Sequence, residues 1–209
     1  VLLGFILWRI LVKAGSIRAE AKGKELTFQE YWVAVKTMAR NRNILLLCVL
    51  SGLRSMTQTG LFTFLPLYLA NELKYSPVVV GTYLTVVQAA GIFGSPIAGV
   101  VSDRKGRRPV LTAGLLITSL LLIALVILKL DFLFIGALAF LGFFLFSLRP
   151  VMFAWTMDLA PKSLGGTTVS ALFGMQSLFS GISPAVCGFI ADRFGILSAF
   201  YFLAFTIFS

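Results

Sequence analysis

Five apolar runs, each long enough to cross a hydrocarbon layer as a helix, constrain this chain before any single residue does. They fall near residues 44–72, 76–101, 109–130, 132–157 and 166–190. A span needs about 20 apolar residues, because a helix rises ~1.5 Å per residue and the hydrocarbon core is ~30 Å thick. Charged residues make up 12% of the chain, about half the ~25% of a soluble domain. The fold class is therefore all-α, a polytopic membrane bundle. Lys129, Leu130 and Asp131 leave little more than a turn between two runs, so neighbouring spans are antiparallel hairpins.

One phrase is written twice. Ser95-Pro96, Gly99, Asp103-Arg104 and Gly106 close the second run; Ser183-Pro184, Gly188, Asp192-Arg193 and Gly195 close the fifth. Between the copies the chain crosses the apolar layer three times. An odd number of crossings puts the copies on opposite sides. Inverted three-helix repeats of this kind are a construction plan of secondary transporters.

The net charge of +10 suggests a nucleic-acid partner until the charges are placed. Lys13, Arg18, Lys22, Lys24, Lys36, Arg40 and Arg42 share one connection, Arg104, Lys105, Arg107 and Arg108 another, and Lys162 a third. The alternate connections hold only Lys74, Lys129 and Arg193. This is the positive-inside pattern. It places residues 14–42 and the 102–108 loop in the cytoplasm of a multi-pass protein of the cell (plasma or inner) membrane. The partner is the lipid bilayer, with no nucleic acid.

Residues 1–13 are apolar but too short to span, and read as the end of a truncated transmembrane helix. In the 14–42 connection, Thr27 and Glu30 have capping-box spacing. Phe28, Trp32, Val35 and Ala39 then recur at helical spacing, which predicts an amphipathic helix on the membrane surface. The chain has no His. Cys48 and Cys187 lie inside apolar runs as small hydrophobes. Neither a metal site nor a cofactor is expected.

Within the spans, Gly91, Ser95 and Gly99, and again Ser177, Gly181 and Ala185, repeat small residues every fourth position. Such stripes are expected to pack helix on helix, since close backbone approach drives association in lipid. Pro96, Pro150 and Pro184 predict kinks. Arg54 and Arg149 lie ~16 Å and ~14 Å from the same side. A charge at that depth is a functional candidate by default. Ser51, Arg54 and Gln58 share one helical face, as do Arg149 and Thr156, with Phe146 and Phe153 adjoining. Two cations without a local counter-charge favour an anionic substrate, because guanidinium binds carboxylate or phosphate bidentately. Two other readings stay open: Arg149 pairs with Asp158, or either arginine meets an acid from outside this segment. The carboxylates all fall in connections or at span ends, so a proton-coupling group is expected elsewhere in the protein.

The turn after the second run combines Gly99, Asp103, Arg104, Gly106, Arg107 and Arg108. Gly99 lets helices approach, Gly106 permits a tight turn, and Asp103 either pairs with an arginine or faces a helix start. The arrangement reads as a latch between helices. Here the chain resembles the major facilitator superfamily, whose signature G-x-L-A-D-[RK]-x-G-[RK]-[RK] it matches at every glycine and charged position. Lys105 stands where an apolar residue is usual. Ala160 to Gly166 resembles the turn before the family's eleventh helix, with Leu164 in a place often held by Arg.

The resemblance implies that residues 43–209 are the C-terminal six-helix half, its last helix incomplete, and that 14–42 is the central linker. It also implies that Asp103 and the arginines stabilise an outward-open state, and that the helices of Arg54 and Arg149 line a central cavity. The function it implies is transport of a small solute by alternating access, together with the missing N-terminal half, the substrate read as an organic anion. Drug or metabolite efflux is the alternative, and a non-transporting receptor or assembly factor the second. With no nucleophile–base pair within the spans, the chain does not read as an enzyme.

Overall fold

A computed structural model describes residues 41–127, 131–160 and 165–208, together with Lys36. The apolar segment 1–13, the amphipathic helix expected after Thr27 and the Leu164 turn lie outside these residues. Six helices follow one another: α1 Arg42–Asn71, α2 Pro77–Lys105, α3 Arg107–Ile127, α4 Asp131–Leu159, α5 Gly165–Phe194 and α6 Ile196–Phe208. The first five are long and apolar enough to cross a membrane, while α6 has 13 residues.

Local chemistry sets the helix ends. Asn41 caps α1 by accepting from the Asn43 amide at 3.1 Å. Ser76 caps α2, and Pro77 at its first position brings a ring already set to helical φ. The α2–α3 and α5–α6 connections turn on Gly106 (φ 94°) and Gly195 (φ 87°), a region where a Cβ is strained. The duplicated phrase thus ends in the same backbone device both times.

The packing repeats the same symmetry. α1 lies chiefly along α5, and α4 along α2; α1 also meets α6, and α4 meets α3. Each first helix of one triplet packs on the second and third of the other, as inverted repeats require. The core runs through Leu61, Leu65 and Leu69 of α1, Val87 of α2, Leu122 of α3, Leu141, Leu145 and Leu148 of α4, Cys187 of α5 and Leu203 of α6.

Because lipid is as apolar as leucine, close packing and interhelical hydrogen bonds hold these helices together. Gly142 of α4 faces the Val87 backbone, Gly94 faces the Phe143 carbonyl and Ser147, and Gly91 faces the Phe146 ring. Between α1 and α5, the Gln176 Nε2 donates to Ser51 Oγ at 2.5 Å and Ser183 donates to the Met56 carbonyl at 2.7 Å. Ser55 and Ser180 share a 2.6 Å bond. Ser119 of α3 donates to the Ala204 carbonyl of α6 at 3.0 Å.

Two expectations need correction. Of the first small-residue stripe, Gly91 and Ser95 meet α4, but among the described residues nothing beyond its own helix turn lies within 4 Å of a Cβ at Gly99. The second stripe points away: Ser177, Gly181 and Ala185 are exposed, and α5 meets α1 through Gln176, Ser180 and Ser183. The contacting residues are spaced four and then three apart, one to two positions before the members of the stripe.

Gly142→Ala tests the close approach. The new methyl would meet backbone, which cannot rotate aside, so α2 and α4 must separate. The expected loss is about 1–3 kcal/mol in chemical unfolding of the full chain in detergent. Gly136→Ala on the same helix, with nothing within 4 Å, is expected to be neutral or stabilising, since alanine favours helix by up to about 1 kcal/mol. Equal losses at both positions would refute the packing argument.

Candidate functional site

The long α1 helix carries Arg54 into the bundle interior, where it is 1% exposed. Its Nε and Nη2 donate to the Leu145 carbonyl of α4 at 3.1 and 2.8 Å, and Nη2 also donates to Gln58 Oε1 at 2.7 Å. Leu145 stands beside a weak point of α4. Pro150 lacks the amide that would bond the Phe146 carbonyl, and Ser95 of α2 reaches that carbonyl at 3.4 Å. Adjacent carbonyls of a proline-interrupted helix are thus held by side chains from two other helices.

Arg149 lies one turn further along α4 and is exposed. It lines a cavity of about 330 Å3 with Ser95, Phe153, Leu172, Phe173 and Gln176. Its guanidinium carbon sits 5.7 Å from the Phe173 ring centroid, and Phe153 and Phe173 are tilted with centroids 6.4 Å apart. No described carboxylate pairs with Arg149: Asp158, one of the partners considered, is engaged by Arg107. The structure therefore joins Arg54 with Gln58 and sets Arg149 on the cavity wall. Thr156 does not share the environment of Arg149; it is 1% exposed and bonds its own helix at Met152. Ser51 is likewise buried, spent on Gln176.

A second constellation closes one end of the bundle. Arg107 opens α3 and binds Asp103 of α2 at 2.5 Å and Asp158 of α4 at 3.1 Å. Its Nη1 also donates to Ser102 Oγ at 2.7 Å. One guanidinium fork thereby ties three helix ends, a task for which its planar donor set is suited. Of the motif residues, Asp103 and Arg107 meet, and Gly106 supplies the turn. Arg104 and Arg108 are exposed without an ion pair among the described residues. Asp158 is the member that sequence reasoning missed. Its only sequence signal is a lone acid at a span end, level with a basic turn.

The profile of the Major Facilitator Superfamily matches residues 47–209. The chain belongs to this superfamily. Its similarity reaches the cis,cis-muconate transport protein of Acinetobacter baylyi, 26% identical over 171 residues, which is 78% of this chain and 41% of that protein. A glycine betaine/proline/ectoine/pipecolic acid transporter of Dickeya dadantii is 28% identical over 155 residues, 71% of this chain and 30% of the other. A proline/betaine transporter of Escherichia coli is 25% identical over 178 residues, 81% and 34%. The chain spans less than half the length of these relatives. All are named as transporters, in keeping with the reading that the chain is no enzyme.

Proposed function

We propose that this segment forms the C-terminal half of a secondary transporter that moves a small carboxylate-bearing solute by alternating access. The opposite cavity wall comes from the N-terminal half of the same protein. Arg149 binds the carboxylate, Phe153 and Phe173 bound the apolar part of the solute, and Arg54 with Gln58 fixes the turn that presents Arg149. The observation that carries this reading is an exposed arginine, unpaired among the described residues, on the wall of a cavity of about 330 Å3. A guanidinium with both edges available is matched to carboxylate geometry. The relatives' names support the class: muconate is a dicarboxylate, and betaine and proline each carry one carboxylate.

The asymmetry of lysine and arginine supports an orientation with residues 14–42 and the 102–108 turn in the cytoplasm, in the cell membrane. In this orientation the Arg107 cluster latches the cytoplasmic ends of α2, α3 and α4 in one access state. A zwitterionic solute is the second reading. It is favoured by the betaine and proline relatives and by aromatic faces able to hold a quaternary ammonium.

Ligand-induced thermal stabilisation of the full-length protein tests the proposal, using matched panels of dicarboxylates, betaines, cationic amines and neutral solutes. Carboxylates are expected to stabilise the wild type. Arg149→Gln is expected to weaken that binding by about 10–100-fold, the equivalent of one charged hydrogen-bond set of ~1.5–3 kcal/mol, with the ligand-free midpoint unchanged. Stabilisation by cationic amines or neutral solutes that survives in Arg149→Gln would overturn the anion reading. Flux in sealed vesicles separates a transporter from a receptor.

A further inference from the structure

A second cavity, reached by Ser147, Leu148 and Val151 around the helix from Arg149, lies where α2, α3 and α4 meet beside the Gly106 turn. It measures about 330 Å3, and its walls include Ile97, Val101 and Lys105 of α2, Pro109 and Ala113 of α3 and Phe144 of α4. The lining is apolar except for Ser147 and Lys105. Ser147 spends its hydroxyl on the Phe143 carbonyl of its own helix. Lys105 is therefore the one charged wall.

The Lys105 charge is uncompensated among the described residues. It ends α2 and is exposed, while Asp103 and Asp158 at the same end are both held by Arg107. Arg104 and Arg108, its neighbours on either side of Gly106, are exposed as well. From Lys105 inward to Ile97 the helix rises ~12 Å, close to the ~15 Å of hydrocarbon in one leaflet. The surface around the groove is apolar, with Ile97 50% and Val100 52% exposed. A soluble anion would find one ammonium here and no polar floor. A lipid finds a charge at the headgroup level and an apolar channel of one leaflet's depth beneath it.

We propose that this groove is a binding site for an anionic phospholipid, with one acyl chain seated between α2, α3 and α4 and the phosphate on the Lys105 ammonium. Basic pockets between membrane helices are a recurrent means of holding such headgroups. The proposal rests on the chain spanning a bilayer, and is independent of which solute it carries.

Native mass spectrometry of the full-length protein, purified in detergent and offered equimolar dioleoyl phosphatidylglycerol and phosphatidylcholine, reads the site directly. The wild type is expected to retain phosphatidylglycerol preferentially. Lys105→Leu is expected to cut that preference about fivefold, the effect of one surface lysine. Ala113→Trp, which fills the groove, is expected to remove the adduct, and Lys74→Leu at the opposite end to leave it unchanged. Lipid-free melting of each variant separates lost binding from lost folding. Equal retention of the two lipids by the wild type would overturn the anionic site, and an unchanged adduct in Ala113→Trp would overturn the groove. Competition by glycerol 3-phosphate at the same concentration would assign the lysine to a soluble phosphate and overturn the lipid.

Discussion

Replacing Arg54 with methionine is expected to abolish solute uptake at low concentration while leaving the ligand-free thermal midpoint unchanged or raised. The two halves of this expectation come from different magnitudes. An arginine held in the middle of a membrane helix costs about 2.5–3.5 kcal/mol on the most lenient scale. Arg54 is 1% exposed and meets no carboxylate among the described residues. Its compensation is the Leu145 carbonyl and Gln58, and side-chain hydrogen bonds between membrane helices average only about 0.6 kcal/mol each. Burial cost exceeds the return from those bonds. Methionine fills similar volume without the charge, and swaps of buried charge for well-packed apolar groups are commonly neutral or stabilising.

Function runs the other way. Leu145 precedes Arg149 by one helical turn, so the Arg54 bond holds the turn that aims Arg149 into its cavity. Uptake at low solute concentration is expected to fall by up to about 100-fold, the size of loss that a ~1 Å misplacement of a positioned group can produce. Arg54→Lys keeps a charge but lacks the fork that spans Leu145 and Gln58, and is expected to recover little uptake. Radiolabelled uptake into proteoliposomes, beside melting of the same preparations, measures both quantities. A midpoint that drops sharply in Arg54→Met would instead make this residue part of the fold, as a bond to an acid from the other half would.

The spans were legible because lipid enforces a simple rule. An expected run at 44–72 became Arg42–Asn71, and one at 166–190 became Gly165–Phe194. Long uninterrupted apolar helices leave little room for error except at their ends. Which face meets which neighbour was not legible. Ser177, Gly181 and Ala185 keep a strict four-residue spacing, yet α5 meets α1 through Gln176, Ser180 and Ser183, spaced four and then three, and only the folded arrangement of α1 against α5 distinguishes the two faces. Pro66 also sits inside α1, a further proline within a span beside the three from which kinks are expected. Of the candidate site, Arg54 with Gln58 followed from helical spacing, and Gly106 from its conformational freedom. Asp158 could not follow, because its partner Arg107 is 51 positions away and local rules do not reach that far. The alternative pairing of Asp158 with Arg149 fails on local geometry, since both lie on α4 and nine positions set them ~13.5 Å apart on opposite faces.

Arg107→Ala is expected to leave folding stability nearly unchanged yet redistribute the protein between its access states. Asp103 and Asp158 are 61% and 57% exposed at their side chains, and ion pairs so placed contribute about 0–1 kcal/mol each. That is negligible against a membrane bundle's total packing. Under the proposed alternating access, it is enough to shift an equilibrium between two conformations that differ by only a few kcal/mol. Losing both bridges and the Ser102 bond together is expected to move that equilibrium by about 5–100-fold. A cysteine introduced at Phe173, on the cavity wall, reports the state through its labelling rate with a membrane-impermeant maleimide; Cys48 and Cys187, both buried, contribute little background. Because Arg107 reaches α2 and α4 with one side chain, Arg107→Ala and Asp158→Asn are expected to be non-additive: once the arginine is gone, removing the acid should change the labelling rate no further. Additive effects would mean that the two charges act through separate partners and that no shared latch exists. A large fall in melting midpoint would place Arg107 among the residues that hold the fold rather than those that select its state.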